Sequence, residues 1–88
     1  MSKPLAKSLH TVTVLVAIAR STAWINEVMK DRRFYQDQRA PMPDDLRKTH
    51  DVEIRHAVDY ALRVLGLKES PDTYGLREQA IAKLTKGV

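Results

Sequence analysis

The hydrophobic residues between Leu5 and Ala23 recur at positions 5, 9, 12, 16, 19 and 23, in alternating steps of four and three. At about 100° per residue these positions lie within about 80° of one another, one stripe down a helix. Val14, Leu15 and Ile18 add apolar surface on other faces of a segment that carries no acidic side chain. A helix that is apolar on more than one side has to be covered, by its own chain or by a partner. Thr11-Val12-Thr13-Val14 alternates as a strand would, but the alternation fails at Leu15-Val16-Ala17-Ile18. The helical spacing extends much further and is preferred. Pro4 suits a first helical turn, where its missing N–H has no role.

The stripe ends after Ala23, because Asn26 and Lys30 take the next heptad-core positions. The pattern therefore predicts a bend near residues 20–22, with Ser21 or Thr22 capping a second helix from Trp24 to about Tyr35. One long helix from Pro4 to Tyr35 is the other reading. Trp24, Ile25, Val28 and Tyr35 share a face of the second segment. Gln36 to Met42 is polar and runs into Pro41 and Pro43, which marks a connector. Pro43-Asp44-Asp45 reads as a helix start, since the carboxylates complement the positive end of the helix dipole.

From there Leu46, His50, Ile54, Ala57, Val58, Ala61, Leu62 and Leu65 lie on or beside one face. His56, Asp59 and Arg63 take the other, where Arg55–Asp59 and Asp59–Arg63 have the spacing of intrahelical pairs. Gly66 is placed to end this helix. Ser70-Pro71 opens the last one, whose stripe is Leu76, Ala80 and Leu84 with Ile81 alongside. Gly75 inside it implies a later start, near Thr73 or Gly75 itself, or a close backbone contact. The fold class that follows is all-α, a small orthogonal or bundled domain of three to four helices, with the first lying across the others.

Composition narrows the functional classes. Eighty-eight residues make one small domain, 1–88, which buries roughly 60–65% of its unfolded surface. Pairing with another chain, a homodimer included, would enlarge that core. Cysteine is absent, which excludes disulfides and thiolate metal sites and suits a reducing, cytoplasmic setting. Fifteen basic and eleven acidic side chains give a net charge of +4, a mild excess rather than a polybasic chain. Lys3 and Lys7 ahead of Val12 to Ala19, with Ala17-Ile18-Ala19, outline an export leader. The apolar run is short and is interrupted by His10, Thr11 and Thr13, so the helix is preferred. No segment reaches the ~20 apolar residues of a membrane span.

Catalytic chemistry is thinly represented. His10, His50 and His56 offer no pair at the spacing that places two imidazoles on one helix face. His50 falls on the apolar face, and His56 lies on the wet side within reach of Glu53 and Asp59. Adjacent Asp44 and Asp45 diverge by about 100° on a helix and serve its start. Asp51 and Glu53 make no calcium loop, and there is no glycine-rich phosphate loop. The expectation is a non-enzyme without metal or cofactor.

Two segments carry interaction signals. Lys30-Asp31-Arg32-Arg33-Phe34-Tyr35-Gln36-Asp37-Gln38-Arg39 combines cations with two aromatics, so Lys30, Arg32, Arg33, Phe34, Tyr35 and Arg39 are candidate partner-binding residues. They suit an acidic patch on a protein or, less well, a nucleic acid. Residues 54–65 and 71–84 also form two amphipathic helices around a turn, a weak helix-turn-helix signal. There Thr73, Arg77 and Gln79 would approach a groove, and Lys83 and Lys86 would touch phosphate. The linker is long for that motif, and Glu69, Asp72 and Glu78 oppose it. The leading expectation is a protein–protein interaction module, an adaptor, inhibitor or accessory subunit. A small DNA-binding regulator is the alternative.

Overall fold

Ser21 and Thr22 break the first apolar segment by turning their hydroxyls back onto it. Ser21 Oγ donates to the carbonyl of Ile18 at 2.6 Å and Thr22 Oγ1 to that of Ala19 at 2.9 Å. Thr22 has extended backbone angles, and its Oγ1 also accepts from the Ile25 N–H at 3.3 Å, a side-chain N-cap. The computed structural model describes residues 4–68 and 70–86, with side chains from His10 onward. The break closes α1 (Pro4–Arg20) and opens α2 (Ala23–Gln38), and the axis turns by 87° between them. Two helices, not one, therefore occupy residues 4–38.

The other boundaries follow from equally local causes. α2 continues past Tyr35 to Gln38, beyond its expected end, because nothing before Arg39 opposes helical geometry. Arg39 then adopts φ 55°, and the N–H groups of Arg39 and Ala40 bond the carbonyls of Gln36 and Tyr35 at 3.1 Å each. This is a Schellman ending, with an arginine in the left-handed position that glycine usually fills. α3 (Asp44–Val64) begins with its two aspartates, preceded by Pro43 in the capping position. It ends in a second Schellman motif at Gly66, φ 75°, where Gly66 N–H bonds Arg63 O at 2.9 Å and Leu67 N–H bonds Leu62 O at 3.0 Å. α4 (Pro71–Lys86) starts as Ser70 Oγ accepts from the Thr73 N–H at 3.2 Å.

The core is the convergence of four stripes. Val12, Leu15, Val16 and Ala19 of α1 are buried with Ile25 and Val28 of α2. Ile54, Ala57, Val58, Ala61 and Leu62 of α3 join Ala80 and Leu84 of α4. α1 and α3 each touch all three other helices, whereas α2 and α4 do not meet. Val12, Val16 and Ala19 occupy the expected seam. Leu5 and Leu9 lie outside the residues whose side chains are described. Leu15, beside that seam, is wholly buried, so the apolar surface it adds is covered by the chain itself. One expectation is corrected: Ala23 is exposed, because the turn moves it onto the start of α2. Val14 and Ile18 are half-buried, so much of the surplus apolar surface of α1 is covered by its own chain.

Gly75 is a further correction. α4 starts at Pro71, ahead of it, and a Cβ built on Gly75 meets nothing within 4 Å. Neither a late start nor a close approach accounts for this glycine. Gly75→Ala should therefore raise stability by about 0.5–1 kcal/mol, seen as a thermal midpoint higher by a few degrees in circular dichroism. Leu15→Ala should lower stability by about 2–5 kcal/mol in urea unfolding, because it leaves a cavity in the core.

Candidate functional site

The basic-aromatic segment falls on the C-terminal half of α2, and helical geometry divides its residues between two faces. Asp31 and Arg32 face α3. Asp31 Oδ2 lies 3.0 Å from His50 Nε2, and Arg32 Nη2 lies 3.4 Å from Asp51 Oδ1. The successive residues Asp31-Arg32 thus meet His50-Asp51 in complementary order, and the two pairs set the register of α2 against α3. His50 is 3% exposed, and a carboxylate on Nε2 is what a buried imidazole needs. Arg32, with its side chain 14% exposed and its Nε buried, is committed to this contact. Of the six candidate partner-binding residues it is the one the fold takes inward.

The others remain on the outside to differing degrees. Arg33 and Arg39 are exposed, and so is Lys30, whose Nζ lies 4.0 Å from Glu27. Phe34 is 56% exposed, and half-buried Tyr35 holds it edge to face, with ring centres 5.2 Å apart at 88°. The result is an exposed aromatic side chain against a neighbouring ring, on a helix end that carries Lys30, Arg33 and Arg39 together with the exposed carboxylate of Asp37.

The residues named for nucleic-acid contact separate in the same way. Thr73 is buried, and its hydroxyl donates to the carbonyl of Lys68 and accepts from Ser70 Oγ at 3.0 Å. It anchors the first turn of α4 to the preceding connection instead of facing outward. Arg77 reaches across to α3, where Nε lies 2.7 Å from Asp59 Oδ1 and Nη2 lies 3.4 Å from Oδ2, while Nη1 lies 3.1 Å from Glu78. Gln79, Lys83 and Lys86 are exposed along one flank of α4, beside Val12 and Thr13 of α1. Five proposed contacts become three.

Arg77 also corrects the expected pairing within α3. Asp59 is used across the helix interface by Arg77, and Arg55 Nη1 lies 3.6 Å from Glu78 Oε2 of α4. A residue from another helix can meet a carboxylate with a two-pronged guanidinium, which an intrahelical arginine does less readily. The hydrogen bond it donates to Asp59 holds the Arg77 guanidinium above its ordinary pKa, with partial burial opposing it and the nearby carboxylates reinforcing it. The stability this adds is present below the ordinary arginine value and is lost only as pH rises through the raised folded value. His56 is on the surface as expected, with Nδ1 3.7 Å from Glu53 Oε1.

A cavity of about 600 Å³ lies where α3 and α4 diverge, walled by Leu62, Arg63, Leu67, Tyr74 and the Asp59–Arg77 pair. It presents an ion pair that is already matched and no nucleophile held by a base. Among the described residues no three histidine, aspartate or glutamate side chains are grouped to hold a metal ion. No single helix there is long and apolar enough to cross a membrane, and α1 and α2 together have the length but are sharply bent. Comparison with protein-family models, curated proteins and solved structures finds no match to this chain. What the geometry defines is a small, compact all-α domain of four helices.

The Asp59–Arg77 pair tests how the α3–α4 contact is held. A double-mutant cycle with Asp59→Ala and Arg77→Ala should give a coupling of about 1 kcal/mol in chemical unfolding, since partial exposure keeps such pairs modest. Coupling indistinguishable from zero would show that this pair does not hold the two helices together.

Proposed function

We propose that this domain is a protein–protein interaction module, an adaptor, inhibitor or accessory subunit that acts by docking the outer face of α2 on another protein. The observation that supports this most directly is Phe34, 56% exposed and braced by Tyr35, with Lys30, Arg33 and Arg39 on the same end of the helix. An exposed aromatic anchor on a helix end where cations outnumber carboxylates suits a pocket edged with carboxylates. The partner is then a protein with an acidic patch. The absence of cysteine favours a reducing compartment such as the cytoplasm as the place of action.

A helix-turn-helix-like DNA-binding regulator is the second reading, favoured by the exposed row Gln79, Lys83 and Lys86. It is weaker because Thr73 and Arg77 are engaged within the fold and the α3–α4 connection is long.

Affinity capture from cells with the intact chain should recover one stoichiometric protein that survives nuclease treatment. Arg33→Glu with Phe34→Ala should reduce its binding by about thirtyfold or more while leaving helical circular dichroism unchanged. Recovery that is nuclease-sensitive, falls steeply with salt and is abolished by Lys83→Glu with Lys86→Glu would instead establish the DNA reading.

A further inference from the structure

A groove of about 370 Å³ runs between α2 and α3, separate from Phe34, with Trp24, Val28 and Leu46 among the residues of its apolar lining. Trp24 is the only tryptophan of the chain. Its indole is 44% exposed and is braced from the side by Tyr60, ring centres 6.0 Å apart at 86°, and by His56 at 6.4 Å. The charged residues lining the groove are Glu27, Asp31 and Glu53, all carboxylates, and no lysine or arginine lines it. In a chain of net charge +4 this is a local reversal of sign.

The protein balances these carboxylates only in part. Glu27 has Lys30 at 4.0 Å, with both side chains about three-quarters exposed, and Glu53 has the exposed His56 at 3.7 Å. Asp31 accepts from His50 Nε2 at 3.0 Å. His50 also lines the groove. His50 Nδ1 is buried and, among the described residues, has no hydrogen-bond partner. Apolar wall and excess carboxylate together call for a ligand with an apolar stem and a cationic end.

We propose that this groove docks a cationic segment of another protein, a lysine or arginine stem lying on Trp24 and Leu46 with its charge among Glu27, Asp31 and Glu53. Such side chains bury their methylenes while keeping the charged end in a polar setting, and an indole face attracts the cation. A second copy joined through a two-fold axis would bring the same carboxylates against each other, which disfavours self-pairing here. The proposal rests on the reading of the domain as a docking module and adds a second surface of opposite sign, with the partner chemistry that fits it.

Trp24 reports on the groove directly. Titration with a helical peptide of about five turns, built from leucine, alanine and lysine, should shift its fluorescence saturably and lose affinity as salt is added. The same peptide with glutamate for lysine should leave the emission unchanged. Glu27→Gln with Glu53→Gln should weaken the lysine peptide about tenfold or more, with helical circular dichroism unaltered. Equal responses to the two peptides, or undiminished binding by the double variant, would overturn the proposal. So would an emission shift that follows protein concentration alone and disappears in that variant, because a second copy would then fill the groove. Arg33→Glu with Phe34→Ala should leave peptide binding intact, so the two docking surfaces succeed or fail separately.

Discussion

The apolar face of α3 is the constraint on which the rest of this domain depends. α2 and α4 never touch, so α3, with α1 beside it, has to hold them in one body. Ile54, Ala57, Val58 and Ala61 give that face no more than 1% exposure. Two of the four are alanines, which bring helix backbones near one another without filling the space between. Burial of this kind supplies most of the free energy of a small domain but says little about register, because apolar contact is non-directional.

Register is supplied by charged and polar pairs on either side of the apolar seam. Asp31–His50 and Arg32–Asp51 align α2 with α3, and Asp59–Arg77 and Arg55–Glu78 align α4 with it. Each is partly exposed and contributes modestly to stability, yet a slip of one residue would separate the partners. The same pairs draw Arg32 and Arg77 toward the interior, and Thr73 is withdrawn by its hydrogen bonds to Lys68 and Ser70 at the start of α4. Residues that look like binding chemistry in a linear reading are thereby used to assemble the domain.

What remains outside falls into areas of distinct character. The far end of α2 presents Phe34 among cations, and the α2–α3 groove presents Trp24 among carboxylates. Separation of sign over so small a molecule follows from helical geometry. Glu27 and Asp31 lie toward the groove, while Arg33, only two residues after Asp31, points away from it. A domain with surfaces of opposite sign is suited to contact two chemically different partners, or two regions of one.

The sequence by itself determined the all-α class and the position of most helix boundaries, because those signals are local, while it left residues 4–35 open to one helix or two. A stripe of apolar spacing, the hydroxyls at Ser21-Thr22, the Ser70-Pro71 start and the glycine at 66 act within one or two turns, and each was legible. So was the inward face of α3, His50 included. The end of α2 was placed early because its polar last turn resembles a connector until Arg39 actually reverses the backbone. Tertiary structure alone decided which charges meet. Asp31 and His50 are 19 residues apart and Asp59 and Arg77 are 18 apart, and nothing in local spacing favours those partners over the intrahelical ones. The groove was illegible for the same reason: Trp24 and Glu27 come from one helix, Leu46 and Glu53 from another, and only the packing of α2 on α3 makes them neighbours.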